Sequence, residues 1–346
     1  MRFSMDTGFA RALLSWYARR ARPLPWRATR DPYAIWVAEV LLQQTRVEVA
    51  VPYYHRFLQA FPTVESLAAA TEEEILRVWE GLGYYARARH LHRAARLVAE
   101  QGGFPTTVEG WIQLPGIGPY TAAAVASIAF GQDVLALDGN GLRVGARLLG
   151  IRKPLDDPRA RQRIRAALEA LLPRGRAGEF NQALMDLGAT VCRPQSPRCE
   201  ACPVRRWCST AAHGLWKHIP ARPAKSPKPH RHFVVVLVQD PAGRVLVVRQ
   251  PPRGLWGGLW ILPQVEARTW KEARPRLERV LGVRLRRRRD KFSAILQHRF
   301  THFLATFRVV EATPDARPAV GRFISPRSSG VPFPAPTRRI LERLGT

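Results

Sequence analysis

The chain has 346 residues, a formal net charge of +28 from 55 Lys and Arg against 27 Asp and Glu, and 46% hydrophobic residues. That length predicts two or three domains of roughly 100–200 residues each. No apolar run approaches the roughly 18 residues of a membrane span, and arginines interrupt the N-terminal stretch FARALLSWYARRAR, which excludes the apolar core of a signal peptide. A soluble cytoplasmic protein is expected. Part of the arginine excess is codon usage, because Lys and Asn are scarce, but that does not explain the shortage of acidic residues. The charge therefore points to a polyanionic partner, nucleic acid first.

Up to about Thr210 the chain carries helical periodicity. DPYAIWVAEVLLQQT, VESLAAATEEEILRVWEGLG and RARHLHRAARLVAEQGG space apolar residues three and four apart, with Gly or Pro as punctuation. In the first of these, Glu39 is the carboxylate of the apolar helix. Its neighbours three and four positions away are Ile35, Trp36, Leu42 and Gln43, so no basic residue pairs with it on its own helix. An unpaired Glu in apolar surroundings has a raised pKa, which suits a general acid. An exposed helix stripe is the other reading that the residues alone leave open.

LPGIGPYTAA, Leu114 to Ala123, places two glycines and a proline before a helix. Gly116 and Gly118 are expected to adopt backbone torsions closed to other residues. The N–H groups at the helix N-terminus can point at a phosphate. In VLALDGNGLRVGARLLG, Asp138 precedes a helix whose expected N-cap is Asn140. Near a helix N-terminus Asp138 is expected to stay ionised. Two carboxylates held in such different environments divide the roles of acid and stabiliser. A plain cap or turn residue is the alternative for Asp138.

All four cysteines, Cys192, Cys199, Cys202 and Cys208, lie in one loop with the spacing C-x6-C-x2-C-x5-C. A disulfide pair is out of place in a cytosolic chain, and zinc usually takes two close pairs where here there is one. Four thiolates along one loop suit an iron–sulfur cluster. Arg193, Arg198, Arg205 and Arg206 in the same loop could grip phosphates. Beyond it, Trp216 to His232 is rich in Pro and basic residues and reads as an exposed linker. FVVVLVQDPAGRVLVVRQ then carries a hairpin signal, and TWKEARPRLERVLG a helix among short strands. The expected organisation is a mainly α domain over residues 1–212, a linker over 213–232 and an α+β domain over 233–346.

The cysteine spacing resembles that of the endonuclease III-like DNA glycosylases, and LPGIGPYTAA resembles their helix-hairpin-helix. That resemblance implies one 4Fe-4S cluster on the four cysteines, a DNA phosphate at Gly116 and Gly118, and two lobes, one over about 27–130 and one from the N-terminus with about 131–212. In relatives that also cut the strand, a lysine occupies the position of Tyr120. Here the first lysine of the chain is Lys153, so covalent amine catalysis at that position is excluded and little or no lyase activity is expected.

LPWR, AEVLLQQT, GLGYYARAR and FNQALMDLGA resemble, in order, the motifs of the adenine DNA glycosylase (MutY) family. The resemblance implies a monofunctional, monomeric bacterial enzyme of the nucleoid that excises adenine mispaired with 8-oxoguanine or guanine in duplex DNA. By it, Glu39 protonates adenine at N7, Asp138 stabilises the oxocarbenium-like sugar, and Tyr120 and Asn140 line the sugar side. Trp26, Arg27 and Gln182 surround the flipped adenine, while Gln44 and Tyr84 wedge into the stack near the opposite base. GLWGGLWILP resembles the Nudix-like domain of the same family, but PQVEARTWKEARPRLERVLG lacks the R-E-x-x-E-E core, so pyrophosphate hydrolysis is not expected. Phe300, Thr301 and His302 stand where the family reads 8-oxoguanine with Phe-Ser-His, so Thr here keeps the hydroxyl and adds a methyl. RLRRRRD, Arg284 to Asp290, reads as a solvated basic loop. A thymine or other mismatch glycosylase on the same scaffold and a non-catalytic damage-binding protein are the alternatives.

Overall fold

The computed structural model describes residues 7–221, 227–252, 254–289, 291–326 and 330–343. The chain divides into two compact units, Met1–Ala69 with His90–Ala224, and Ala70–Arg89 with Lys225–Thr346. This differs from the sequence expectation in two places. The segment Ala70–Arg89 belongs with the C-terminal unit. The beginning of the expected linker packs on the first unit, because Ile219 is buried and its carbonyl accepts a hydrogen bond from Arg147 Nε at 2.9 Å. A stretch read for its prolines and charges held one aliphatic side chain with a core to join. At its far end His230 already begins a strand, and residues 222–226 lie outside the described residues.

The first unit is helical: α1 (Thr7–Arg20), α2 (Pro32–Leu42), α3 (Val47–Ala60) and α4 (Val64–Ala69), and after α5 (Glu72–Val78) of the second unit, α6 (Ala86–Glu100), α7 (Val108–Ile112), α8 (Pro119–Phe130), α9 (Gly139–Leu149), α10 (Pro158–Glu169), α11 (Ala177–Asp186) and α12 (Ser209–Ala212). Asp31 caps α2 by accepting from the Tyr33 and Ala34 N–H groups, with Pro32 pre-set at its first position. Every residue from Tyr33 to Leu41 is buried, as expected for a helix that is apolar all round. It packs on α8, also buried through its middle and closed by left-handed Gly131. A second core holds α1, α9, α10 and α11 together through Phe9, Leu13, Leu142, Ile164 and Phe180.

One asparagine connects these cores. Asn181 is fully buried on α11; its Oδ1 accepts from the Ala136 N–H (3.0 Å) and its Nδ2 donates to Ser127 Oγ and the Val134 carbonyl (both 2.9 Å). It ties the end of α8 to the segment through Val134 and Ala136 that leads to Asp138.

In the second unit, β1 (His230–Leu237), β2 (Val245–Arg249), β3 (Trp260–Ile261), β4 (Gln264–Glu266), α13 (Trp270–Leu281), β5 (Leu285–Arg287), β6 (Ala294–Arg299), β7 (Leu304–Pro314), β8 (Arg322–Ile324) and α14 (Ala335–Arg343) follow in order. The larger sheet runs β4-β1-β7-β5 with β6 also on β7, and the smaller runs β3-β2-β8. β1 lies parallel to β7. The expected hairpin forms only at its tip, where Asp240 N–H donates to the Arg244 carbonyl and Leu246 N–H to the Val238 carbonyl. Beyond the tip its two strands join different sheets. Both are buried β-branched runs; β1 pairs with β4 and β7, and β2 with β3 and β8.

Candidate active site

A cleft of about 540 Å³ in the first unit is lined by Trp26, Arg27, Glu39, Gln44, Tyr120, Asp138, Asn140 and Gln182, all singled out in the sequence. They come from α2 and the turn that follows it, α8, the cap and first turn of α9, α11 and the short turn Pro25–Arg27.

Glu39 sits in the buried stretch of α2, and its Oε2 is buried with no hydrogen-bond partner among the described residues. Burial pushes its carboxyl up to about 7; a hydrogen bond with Tyr120 works against this, Asp138 adds to it, and Arg27 opposes it. The exposed-stripe alternative is thereby removed. Burial, with the charges of Glu39 and Asp138, keeps the Tyr120 hydroxyl protonated. That hydroxyl also lies 3.6 Å from Met185 Sδ.

Asp138 is itself the N-cap of α9, which corrects the expectation of Asn140 in that role. Its Oδ1 accepts from the Gly141 N–H (2.7 Å) and its Oδ2 from Asn140 Nδ2 (2.8 Å). Asn140 is the second residue of the helix, and its Oδ1 accepts from Arg143 Nη2 at 2.9 Å. Arg143 in turn donates to the Gly188 and Cys192 carbonyls.

The wall opposite contains Trp26, buried edge-to-face against Tyr54 with ring centroids 5.3 Å apart. Beside it Arg27 forms a fork with Asp186 (Nη1–Oδ2 2.6 Å, Nη2–Oδ1 2.9 Å). Gln182 Oε1 accepts from the Tyr17 hydroxyl at 3.3 Å. Asp186, Tyr17, Arg22 and Met185 were not singled out in the sequence. Asp186 stands inside FNQALMDLGA, and an acidic residue in that apolar helix is the one signal that could have marked it.

Gln44 follows the end of α2 with φ +59°, and Tyr84 has φ +49°. Left-handed backbone is uncommon for residues with a Cβ and collects at functional sites. Tyr84 belongs to the second unit and is exposed, so it is not part of an aromatic core. Its hydroxyl is hydrogen-bonded to Thr301 Oγ1 of the same unit. Phe300, Thr301 and His302 form the turn between β6 and β7, closed by the Phe300 N–H donating to the Phe303 carbonyl at 2.9 Å. The Phe300 ring stacks on Phe303 at 4.3 Å, and Thr301 and His302 are exposed at the tip.

In the hairpin before α8, Gly116 has φ +78°, and a Cβ there would stand 2.5 Å from His90 Cβ. Gly118 differs from expectation. It is the N-cap of α8 with φ −96° and ψ 174°, open to any residue, and nothing lies within 4 Å of where its Cβ would be. No side chain caps α8, so its first N–H groups remain turned outward.

Among the described residues, no three His, Cys, Asp or Glu side chains converge to hold a single metal ion. The four cysteines instead line one small cavity, whose other walls include Val191, Pro197 and Trp216. Arg147 Nη1 donates to Cys192 Sγ at 3.4 Å, a donor suited to a thiolate. Four cysteine thiols on one cavity, with an arginine donor at one of them, are a donor set that suits an iron–sulfur cluster. Of the loop arginines, Arg205 pairs with Glu200, Arg193 donates to the Ser196 carbonyl, Arg206 stacks on Trp207, and Arg198 is exposed.

Among the described residues no helix is long and apolar enough to cross a membrane. Residues 37–173 match the HhH-GPD superfamily base excision DNA repair protein family, and residues 234–343 the NUDIX domain family. The chain is 34% identical to the adenine DNA glycosylase of Mus musculus, over 90% of this chain and 72% of that protein. To the adenine DNA glycosylase of Buchnera aphidicola subsp. Acyrthosiphon pisum it is 30% identical, over 86% of this chain and 84% of that one. A solved thermostable thymine-DNA glycosylase superposes with TM-score 0.54 at 32% identity, covering 59% of this chain and 95% of that one. An endonuclease III–DNA complex shares the fold, with TM-score 0.51 at 23% identity, covering 60% of this chain and 95% of that one. With identities of 34% and 30% over most of both chains and a matching base excision repair family model, the chain belongs to the adenine DNA glycosylase family of base excision repair enzymes.

Proposed function

We propose that the enzyme hydrolyses the N-glycosidic bond of adenine mispaired with 8-oxoguanine or guanine in duplex DNA and leaves the strand intact. One observation carries the reading: Glu39, buried and raised to about 7, shares a cleft with Asp138. Glu39 enters the reaction protonated and delivers its proton to N7 of the flipped adenine, which makes the base a better leaving group. The carboxylate of Asp138, fixed by the Gly141 and Asn140 donors, faces the cation that develops on the sugar. Water then completes the hydrolysis. Tyr120 brings no amine, so no Schiff base forms at this position and the backbone is spared.

Trp26, Arg27 and Gln182 hold the extruded base, and Gln44 and Tyr84 act as wedges near its partner. The Tyr84–Thr301 hydrogen bond and the exposed turn Phe300–Thr301–His302 support the second unit as the reader of 8-oxoguanine. Gly116, Gly118 and the open N-terminus of α8 take a DNA phosphate. Cys192, Cys199, Cys202 and Cys208 hold one 4Fe-4S cluster, whose contribution when bound is to cross-link the loop at four points. Replacing Cys202 by Ala is expected to abolish iron and sulfide incorporation, read as their content per chain.

The test is single-turnover base release from duplexes with adenine opposite 8-oxoguanine, adenine opposite guanine, and thymine opposite guanine. Fast adenine release that Glu39→Gln abolishes, fastest from the 8-oxoguanine duplex and without strand cleavage before alkali, is the expected result. Thymine release in its place would overturn the base specificity. No release from any duplex would put damage binding without catalysis in its stead.

A further inference from the structure

The cleft holds two polar side chains on its base-facing wall, Arg27 and Gln182, and each is supported from behind. Asp186, at the last turn of α11, is fully buried and takes the Arg27 guanidinium as a fork while also pairing with Arg22 (Nη2–Oδ1 2.6 Å). Burial works to raise the Asp186 carboxyl, but the Arg27 hydrogen bonds and the charges of Arg27 and Arg22 overcome it and hold it below the usual carboxylate range. Tyr17, on α1, lies under the Arg27 guanidinium with 5.3 Å from Cζ to the ring centroid. Its hydroxyl donates to Gln182 Oε1, and Gln182 Nε2 donates to the Gly178 carbonyl at 3.2 Å. A flipped amide would set its oxygen against that carbonyl, so the two bonds fix one orientation. Oε1 retains a lone pair and Nε2 a proton, and an amide of this orientation can match the amine and ring nitrogen of adenine.

We propose that Tyr17 and Asp186 are positioning residues for base recognition: Tyr17 orients the Gln182 amide so that its oxygen accepts from the 6-amino group, and Asp186 holds and neutralises Arg27 beside Glu39. The proposal rests on the adenine-excision reading. The charged and titratable groups facing Glu39 are Tyr120 from α8, Asp138 before α9 and Arg27 from the Pro25–Arg27 turn. Of these, Arg27 is the one whose charge Asp186 balances. Removing that balance strengthens the pull of Arg27 toward the ionised form of Glu39, and the acid then loses its proton at lower pH.

The experiment uses full-length protein with its cluster, under single-turnover conditions. Tyr17→Phe keeps the ring under Arg27 and removes only the hydroxyl. It is expected to slow adenine release about tenfold while leaving release of purine, which lacks the 6-amino group, within about twofold. Asp186→Asn is expected to move the alkaline limb of the adenine rate profile to lower pH, and Asp186→Glu, which keeps the charge, to leave the limb in place. If Asp186→Asn does not fold, the Tyr17→Phe substrate ratio and the Asp186→Glu profile still decide. Equal slowing of both bases by Tyr17→Phe, an unchanged ratio, or Asp186 variants that lower the rate equally at every pH would overturn the proposal. Wild-type enzyme that releases no adenine would overturn the underlying function as well; intact wild-type activity with any of the former results overturns the positioning alone.

Discussion

Glu39, the proposed general acid, shows how a buried carboxyl can weaken the fold that carries it. Its carboxyl is raised from 4.5 to about 7 chiefly by burial. A carboxyl raised on folding favours the folded state below the unfolded pKa, and that contribution is lost as pH rises through the folded value. Glu39→Gln is therefore expected to match wild-type stability near pH 4 and to exceed it by about 3 kcal/mol at pH 8, measured by denaturant unfolding. The rate follows the same proton: adenine release is expected to fall about tenfold per pH unit above about pH 7. Asp138 has two separable roles, cap and charge. Asp138→Asn keeps a capping oxygen, so stability is expected to change by less than about 0.5 kcal/mol while base release falls about a thousandfold or more. Asp138→Ala is expected to lose the same activity and about 1 kcal/mol in addition. The cysteine loop was legible from its spacing alone; for Glu39 and Asp138 the residues left an exposed stripe and a plain cap open, and only the family resemblance chose between the readings. The charge environment of Glu39 was not, because Tyr120 and Arg27 reach it from distant elements.

The hairpin before α8 separates two glycines that look alike in LPGIGPY. Gly116 needs its left-handed φ of +78° and the space beside His90. Gly116→Ala is expected to cost about 2–3 kcal/mol by thermal or chemical unfolding, from strained backbone and displaced His90 together. Gly118 has an extended φ and open space, so Gly118→Ala is expected to leave stability within about 0.5 kcal/mol and to weaken duplex binding, where an added methyl stands between the α8 N-terminus and a phosphate. Equal destabilisation by both would contradict this assignment. The helix expected after this hairpin formed as α8, and the one expected at TWKEARPRLERVLG formed as α13, capped by Thr269 and closed by Gly282. Apolar period and caps are local signals. The strands around Asp240 to Gly243 carried an equally local turn signal, yet their partners lie elsewhere in the chain, as β1 with β7 and β2 with β8 show.

For the whole molecule, the excess of basic over acidic residues implies binding dominated by phosphate contacts. Affinity for duplex DNA is expected to fall at least about a hundredfold between about 50 and 200 mM salt, with mispaired and matched duplexes sharing most of the slope. A flat response measured by anisotropy titration would contradict a phosphate-led interface. The composition already carried this expectation, because net charge is a property of the chain and not of its folding.

What could be read before any fold was known has a common character: residues close in sequence with a period, a spacing or an odd residue type. The apolar α2 with its single acid, the cysteine loop and the glycine hairpin all belong there; Phe300, Thr301 and His302 were marked by family resemblance, and the turn they form came from the structure. What could not be read joins residues far apart. Asp186 meets Arg27 across 159 positions and Tyr17 meets Gln182 across 165, and Ile219 leaves a basic linker for a core. Ala70–Arg89 joins the second unit so that Tyr84 meets Thr301. Local backbone preferences and short spacings act within a few residues, whereas the choice among distant partners is made by which packing buries apolar surface and pairs charges such as Asp186 with Arg27 as they leave water.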